Sequence, residues 1–159
     1  MPLIPVPVAL YDDIEHFRVI RNSGRDMFPT RVEELSQTAN IRWWRLHMRN
    51  MQAYIYKGVS PPHRVVGVGA LQRKSDGRLW EFLGVYPEFK GQGYATEILQ
   101  HLLSTVKENV WTEINLKNKA ALRINEKVGG WTQALITPNT TIQIWRYNVP
   151  ENVRVRPNS

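Results

Sequence analysis

Two glycines stand between a strand pattern and a helix pattern, in the string Lys90-Gly-Gln-Gly-Tyr-Ala95. Upstream, residues 79–85 are rich in aromatic and branched side chains, which is typical of a strand. Downstream, apolar residues recur at helical spacing: Ala95, Ile98, Leu99, Leu102, Leu103 and Val106. Gly91 and Gly93 let the backbone turn tightly, and the first helical turn leaves N–H groups without intrahelical partners. The pattern therefore predicts a site for an anion, most simply a phosphate or pyrophosphate, at this helix N-terminus.

This loop differs from the two common phosphate-binding motifs. The P-loop string GxxxxGK[ST] does not occur, and Gly91-Gln-Gly93 lacks the third glycine of GxGxxG. The loop instead resembles the acetyl-CoA signature of the GNAT N-acyltransferase superfamily, [Q/R]-x-x-G-x-[G/A], preceded by V-x-P at Val85-Tyr-Pro87. Lys90 stands where that family usually has Gln or Arg, which keeps the positive charge.

A second block, Asn118-Lys-Ala-Ala-Leu-Arg-Ile-Asn-Glu-Lys-Val-Gly-Gly-Trp131, resembles the family pattern N-x-x-A-x-x-x-Y-E-K-x-G-F. The positions in register are Asn118, Ala121, Glu126, Lys127 and Gly129. Asn118 is also a good helix N-cap, and the Gly129-Gly130 pair is a helix terminator. The resemblance extends over about residues 63–149.

The resemblance implies an α/β fold of the GNAT type, in which a mixed central sheet of about seven strands carries helices on both faces. In that family the fourth strand carries a bulge and splays from the fifth, and the pantetheine arm of CoA lies in the gap. Gly84 is a plausible place for the bulge. The residues that the resemblance assigns to acetyl-CoA are Leu83, Gly84, Val85, Lys90, Gly91, Gln92, Gly93, Tyr94, Ala95 and Asn118.

Asn125 departs from the family pattern. The family tyrosine, often the general acid that protonates the departing CoA thiolate, falls at this position. An amide can donate a hydrogen bond to sulfur, but it has no proton to transfer at neutral pH. Another group, such as Tyr147, or water must then supply the proton, or the chain is a weak catalyst. We expect Asn125 to face the CoA sulfur.

Glu81 is the first candidate for the catalytic base. Attack of an amine on a thioester needs a neutral amine, a close approach of the two groups and stabilisation of the oxyanion. Glu81 lies four residues before Val85 and so shares its face of the strand. In the family, a backbone N–H near the position of Val85 is the usual donor to the oxyanion. An ordinary exposed or salt-bridged glutamate is the competing interpretation.

The remaining candidates are weaker. Three histidines, His16, His47 and His63, lack metal-ligand spacing, so we predict no metal. His101 lies beside the apolar stripe of its helix and is expected to be structural. The resemblance places four residues in the region that shapes the acceptor pocket: Arg25, Asp26, Trp43 and Trp44.

Composition narrows the classes of protein. The chain has 159 residues, no cysteine and a formal net charge of +7. The length suits one domain, which we place at residues 1–150, with a tail at 151–159. Absence of cysteine excludes disulfides and thiolate nucleophiles and fits a cytoplasmic protein.

The basic charge could attract nucleic acid or the phosphates of CoA, but the basic residues are scattered rather than in runs, so nucleic acid is the less favoured partner. The apolar start holds three prolines and is too short to span a membrane.

The periodicities predict the element order β, two or three helices, βββ, α, β, α, ββ, which agrees with the GNAT layout. Asp12 or Asp13 should cap the first helix, and a capping box at Thr30 should open a short one. The helix after the glycine loop should reach about Glu108, and Pro138-Asn139 should form the last turn.

Three functions remain open. The first is an N-acyltransferase that moves acetyl from acetyl-CoA to a primary amine. The second is an acyl-CoA-binding domain with little catalysis, suggested by Asn125. The third is a basic nucleic-acid-binding module that shares the fold. The expected partners are acetyl-CoA and an amine acceptor, without a membrane, and a homodimer is an open prediction.

Overall fold

The computed structural model describes residues 2–28, 32–136 and 142–154. Its four α-helices are α1 (Tyr11–Ser23), α2 (Gln37–His47), α3 (Tyr94–Ser104) and α4 (Lys119–Val128). Its seven strands are β1 (Leu3–Pro7), β2 (Met51–Gly58), β3 (Val65–Arg73), β4 (Leu79–Val85), β5 (Val110–Asn115), β6 (Trp131–Ile136) and β7 (Ile142–Tyr147). Short 3-10 turns lie at Arg25–Met27, Met48–Asn50, Pro87–Phe89 and Glu151–Val153.

All seven strands form one mixed sheet in the order β1-β2-β3-β4-β5-β7-β6. Each neighbouring pair is antiparallel except β4 and β5, which are parallel and are joined through α3. A parallel pair needs such a crossover connection, whereas the antiparallel pairs can use hairpins. The predicted mixed sheet of about seven strands is confirmed.

Helices cover both faces of the sheet, as predicted. On one face α1 and α2 pack on strands β2 to β4, through Ile14, Phe17, Ile20, Trp44, Ile55, Val68 and Ala70. On the other face α3 buries its apolar stripe, with α4 beside it, through Ile98, Leu99, Leu102, Leu103, Tyr56, Leu71, Val85, Val110, Ile124 and Val128. Burial of these side chains is the main favourable contribution to folding. Along β4, successive residues alternate between the two faces, so Glu81 shares the α3 face with Leu79, Leu83 and Val85.

Two helix ends differ from the sequence prediction. The N-cap of α1 is Leu10, and Asp13 instead reaches back so that its carboxylate accepts from the N–H of Ala9 at 2.9 Å and of Leu10 at 3.0 Å. α3 ends at Ser104, although Val106 is still buried in the turn that follows. The apolar spacing therefore extended the helix too far, because a buried residue in the turn continued the pattern.

Gly84 has a different role from the expected bulge. The register between β3 and β4 runs without a shift from Leu79 to Val85. A Cβ at Gly84 would lie 2.5 Å from Cγ2 of Ile20, so glycine there lets α1 approach the sheet. The sheet's register shifts occur in β2, between Tyr56 and Lys57, and in β6, between Gln133 and Leu135.

Other predictions fall partly outside the described residues. The expected capping box begins at Thr30, which lies outside them, and residues 32–36 form no helix. The turn at Pro138-Asn139 also lies outside them. Among the helices of the described residues, none is long and apolar enough to cross a membrane.

Candidate active site

Strands β4 and β5 part after a short stretch of pairing. They pair only at Leu79 with Val110 and at Trp80 with Trp111, although β4 continues to Val85 and β5 to Asn115. The closed end is braced by the rings of Trp80 and Trp111, whose centroids are 6.4 Å apart. The guanidinium carbon of Arg78 lies 3.9 Å from the centroid of the Trp111 ring and adds a cation–π contact. The result is the gap between the fourth and fifth strands that the family resemblance implies.

Glu81 is the first residue of β4 beyond the last paired position. Across the gap, the hydroxyl of Thr112 donates to the main-chain oxygen of Glu81 at 3.4 Å. Burial raises the pKa of the Glu81 carboxyl to about 7, and a hydrogen bond from the Thr112 side chain opposes this rise. A carboxylate with a pKa near neutrality suits a general base, because it is present in quantity at neutral pH and still binds a proton well.

The glycine loop lies at the carboxyl end of β4, beyond the 3-10 turn Pro87–Phe89. Gly91 and Gly93 have φ angles of 78° and 85°, in the left-handed region that favours glycine, and Gly93 is the N-cap of α3. Among the described residues, the N–H groups of 91–95 have no protein acceptor. The loop is exposed from Lys90 to Gly93. The predicted turn into a helix N-terminus is confirmed, and the arrangement can bind an anion.

Tyr94 and Ala95, which follow the loop, are partly buried at the start of α3. The Tyr94 ring packs edge-on against Phe89, with centroids 6.1 Å apart. On β4, Leu83 packs against the α3 core and Val85 is buried in it, so their side chains hold the strand in place.

Asn118 is the N-cap of α4, and Asn125 lies in the last turn of that helix. The Asn118 side-chain oxygen accepts from the N–H of Ala121 at 3.2 Å, which confirms the predicted N-cap. Asn125 is only 6% exposed, and among the described residues its Nδ2 has no hydrogen-bond partner. A buried donor without a partner is uncommon in folded proteins and calls for an explanation.

Asn125 forms part of the wall of a cavity of about 300 Å³ between α4 and the β6–β7 hairpin. The wall also includes Leu116, Leu122, Glu126, Gly129, Trp131, Gln133, Gln143 and Trp145. The Nε1 of Trp131 is a second buried donor without a partner among the described residues. The sequence analysis did not select Trp131. Its position directly after the Gly129-Gly130 helix terminator was the only available signal.

Several other candidates have structural roles. His101 Nδ1 and the Tyr56 hydroxyl are 2.8 Å apart, and burial lowers the pKa of His101, as expected of a structural histidine. Trp44 is 3% exposed and belongs to the core under α1, and it also forms part of the wall of a cavity between α1 and α2. The ring of Tyr147 packs on Trp131 at 5.6 Å between centroids.

The segment that carries Arg25 and Asp26 is tied to the open end of the gap. Asn115, the last residue of β5, donates from its side-chain nitrogen to the main-chain oxygen of Phe28 at 2.9 Å. Arg25 and Asp26 are exposed just before it. Within the described part of the chain, no group of three or more His, Asp or Glu residues is arranged to hold a metal ion.

Solved structures of acetyltransferases share this fold. A putative acetyltransferase from Salmonella typhimurium, solved with acetyl-CoA, matches with a TM-score of 0.77 and 14% identity over 100% of this chain and 99% of that chain. Spermidine N-acetyltransferase from Vibrio cholerae, solved with CoA and spermine, matches with a TM-score of 0.71 and 12% identity over 92% of this chain and 95% of that chain. An N-acetyltransferase from Staphylococcus aureus matches with a TM-score of 0.69 and 14% identity over 94% of this chain and 100% of that chain.

Sequence comparison assigns the chain to a family. No curated protein matches the sequence. A family model described as the acetyltransferase (GNAT) family matches residues 17–130, which is more than half of the chain. That range contains Glu81, the glycine loop and α4. This protein therefore belongs to the acetyltransferase (GNAT) family.

Proposed function

We propose that this chain transfers acetyl from acetyl-CoA to a primary amine by direct attack in the gap between β4 and β5, with Glu81 as the general base. One observation carries the proposal. Glu81 lies at the point where the strands part, and burial raises the pKa of its carboxyl to about 7. A half-buried carboxyl with a raised pKa at a gap in the sheet is a good candidate for catalysis.

The glycine loop is the proposed binding site for the pyrophosphate of acetyl-CoA. The free N–H groups of 91–95 and the N-terminus of α3 would bind the pyrophosphate. The positive side chain of Lys90 is exposed beside them. The pantetheine arm would follow the unpaired edge of Leu83, Gly84 and Val85 into the gap, and Asn118 would lie beside it at the start of α4.

The proposed reaction is one nucleophilic substitution. Glu81 takes a proton from the bound ammonium group, directly or through water, and the neutral amine attacks the thioester carbonyl carbon. The main-chain N–H of Val85 or its neighbour donates to the developing oxyanion. The nitrogen, positively charged after the attack, releases its second proton to water; the carbon–sulfur bond breaks, CoA departs with the electron pair on sulfur, and the amide product retains the acetyl group.

The acceptor would enter from the α1 face, where Asp26 is exposed near the open end of the gap. A carboxylate there favours a cationic amine. The Vibrio cholerae enzyme was solved with spermine, so spermine belongs in the first panel of amines, beside monoamines and peptide N-termini. The net charge of +7 acts against a polycation at long range, and monoamines are therefore the favoured class.

Steady-state assays with acetyl-CoA and this amine panel test the proposal. Turnover with at least one amine, reduced about a hundredfold or more in Glu81→Gln with CoA affinity retained, is the expected result. Full activity in that variant would make Glu81 a structural carboxylate.

The replacement of the family tyrosine by Asn125 favours a second candidate, an acyl-CoA-binding domain with little catalysis. Tight CoA binding without turnover on any amine would support it. Salt-dependent binding of DNA or RNA that CoA does not compete with would instead favour the nucleic-acid module.

Three further features belong to the proposal. A single catalytic domain over residues 1–150 agrees with one continuous sheet, and limited proteolysis would show whether 151–159 is a separable tail. A cytoplasmic location is supported by the absence of cysteine, and cell fractionation tests it. Sedimentation analysis tests the homodimer.

A further inference from the structure

Helices cover the α1 face of the sheet over β1 to β4 only. Among the described residues, the core under α1 and α2 takes its strand residues from those four strands and the residues just after them, and none from β5 or β7. Trp80 lies on this face, because side chains alternate along β4. Trp111 pairs directly with Trp80 and with Arg146 on β7, and directly paired residues share a face. β5 and β7 therefore leave four side chains on a part of this face that α1 and α2 do not cover: Trp111, Glu113, Ile144 and Arg146.

Two guanidinium groups lie against one indole ring at the closed end of the gap. The guanidinium carbon of Arg78 is 3.9 Å and that of Arg146 is 5.6 Å from the centroid of the half-buried Trp111 ring. Arg146 Nε donates to the Asn148 side-chain oxygen at 2.7 Å, which orients the guanidinium. Within the described part of the chain, neither guanidinium forms an ion pair. We call Arg78, Trp111 and Arg146 the arginine cluster, and an anion bound there would relieve the repulsion between its two charges.

The nearest carboxylate does not neutralise the arginine cluster. Asp76, in the β3–β4 turn, accepts from the main-chain N–H of Arg78 at 2.9 Å and from Trp80 Nε1 at 3.1 Å. The bond from that N–H, then the bond from Trp80 and the charges of Arg78 and Lys74, lower the pKa of Asp76. Lys74 is a third cation beside the cluster, with its Nζ 4.9 Å from the centroid of the Trp80 ring. One carboxylate thus stands against three cations, and the closed end stays positive.

The arginine cluster lies beside the point where the strands part, on the face from which the acceptor would enter. Trp80 and Trp111 are the last paired residues, and Glu81 comes next. At about 3.3 Å per residue, Glu81 lies about 3 Å and Val85 about 17 Å along the strand from the level of the cluster. An amine that attacks between these two levels is therefore about 10 Å from the cluster, which is the length of about three residues of extended peptide.

The charges and side chains of this face favour a peptide as the occupant. Ile144 is half-buried outside both core clusters and offers an apolar contact to a peptide side chain. A nucleic-acid backbone would carry its phosphates past Glu113, which is exposed on the same face. The same face of a second copy of this chain would bring a second arginine cluster against the first. A free amino acid is too short, because its amine and carboxylate are attached to the same carbon atom.

We propose that the acceptor is an acidic peptide whose N-terminal amine enters the gap while an Asp or Glu side chain, about three residues further along, binds the arginine cluster. This choice of acceptor rests on the proposed function. The two guanidinium groups donate charge-assisted hydrogen bonds to the carboxylate, while the N-terminal amine attacks the thioester in the proposed reaction. A peptide N-terminus is a single amine, so it avoids the long-range repulsion that opposes a polycation.

The test uses alanine octapeptides with a free N-terminus. One Asp stands at the second, fourth or seventh position, and each peptide has a counterpart with Asn at that position. The wild type should acetylate the Asp peptide with a higher kcat/KM than the Asn peptide, by about tenfold when Asp is fourth and by less at the other two positions. Fluorescence anisotropy of peptides labelled at the C-terminus gives the same comparison as dissociation constants, independently of turnover.

Substitutions in the arginine cluster should remove this preference. Arg146→Gln and Arg78→Gln should each lower the Asp-to-Asn ratio towards 1 by raising the KM for the Asp peptide. Arg146→Glu should reverse it, so that a peptide with Arg at the fourth position becomes better than the Asp peptide. Arg123→Gln is the matched control, because it removes the same charge from an exposed position on α4, on the other face of the sheet, and it should keep the wild-type ratio. If Arg146→Gln does not fold in a thermal melt, Arg78→Gln decides.

The results distinguish the choice of acceptor from the reaction itself. Turnover with equal kcat/KM for the Asp and Asn peptides, or a preference that both Gln variants retain, overturns the acidic peptide alone. No acetylation of any amine, with the Asp peptide still bound more tightly than the Asn peptide and this difference lost in Arg146→Gln, overturns the proposed function and keeps the peptide site. Neither turnover nor peptide binding overturns both. A single-stranded oligonucleotide that displaces the Asp peptide and binds more tightly would assign the face to nucleic acid instead.

Discussion

Thr112 and Glu81 face each other where β4 and β5 part, and the Thr112 hydroxyl donates to the main-chain oxygen of Glu81 at 3.4 Å. The Thr112 side chain also stabilises the charged form of the Glu81 carboxylate, while burial acts more strongly in the opposite direction. The balance raises the pKa of Glu81 to about 7. One threonine therefore helps to set the proton affinity of the proposed base.

The pH profile of kcat/KM should report this value. Because the carboxylate is the active form, activity should rise with pH up to about 7 and then level off. Glu81→Gln should lower activity about a hundredfold or more and remove this rise. Glu113→Gln on β5, at an exposed position, is the control and should keep the wild-type profile. A rise at the same pH in Glu81→Gln would assign the titration to another group.

Glu81→Gln should also stabilise the protein at alkaline pH. The folded pKa of Glu81 is raised above the ordinary 4.5, so the folded state binds the proton more tightly, and stability falls as pH rises from about 4.5 to 7. A neutral Gln avoids this loss. The quantity to measure is the unfolding free energy of Glu81→Gln minus that of the wild type, by urea unfolding at two pH values. We expect this difference to be more favourable at pH 8 than near pH 4 by on the order of 1–3 kcal/mol. An equal effect at both pH values would contradict the burial of the charge.

Gly93→Asp should weaken CoA binding. The substitution places a negative charge at the α3 N-terminus, where the pyrophosphate would bind, and the affinity should fall more than tenfold, or about 1.4 kcal/mol, by calorimetry. Gly77→Asp is the control, because Gly77 has a φ of 79° like the 85° of Gly93 but lies in the β3–β4 turn. Equal CoA affinity in both folded variants would place the pyrophosphate elsewhere.

Gly84→Ala should destabilise the fold through α1. The added Cβ would lie 2.5 Å from Cγ2 of Ile20, and overpacking of this kind typically costs about 1–3 kcal/mol. In an Ile20→Ala background the added cost should shrink, which a double-mutant cycle in urea measures. Gly58→Ala, where a Cβ would meet nothing within 4 Å, is the matched control. Additive effects of Gly84→Ala and Ile20→Ala would mean that the two sites do not clash.

Substitutions at Asn125 should separate hydrogen bonding from proton transfer. Asn125→Ala removes one donor and should slow transfer modestly if water supplies the proton to sulfur. Asn125→Tyr offers a phenol, and the adjoining cavity of about 300 Å³ gives its ring room, so transfer should become faster. A tyrosine variant slower than the alanine variant, at unchanged CoA affinity, would indicate a pocket built around another acid. Tyr147 would then be the next residue to change.

Local patterns predicted the elements that local rules govern. The strand over residues 79–85, the turn through Gly91 and Gly93 and the Asn118 cap all appear as predicted, since each depends on neighbours within a few residues. Prediction was wrong at the α1 cap and at the end of α3. At α1 the Asp13 carboxylate accepts from the N–H groups of Ala9 and Leu10, which is a local contact. After α3 the burial of Val106 in the following turn continued the apolar spacing beyond the helix.

The sequence by itself determined the glycine loop, the alternation that puts Glu81 on the face of Val85, and the departure at Asn125. Tertiary structure alone decided that Glu81 meets Thr112, 31 residues away, and that Asn125 and Trp131 share one cavity wall. The physical reason is that the burial of a side chain, and whether its donor finds an acceptor, depend on residues from other strands and helices that are distant in sequence. The sequence shows which hydrogen bonds each residue can donate or accept. Only the packing of the sheet and helices determines whether that group meets water or a protein partner.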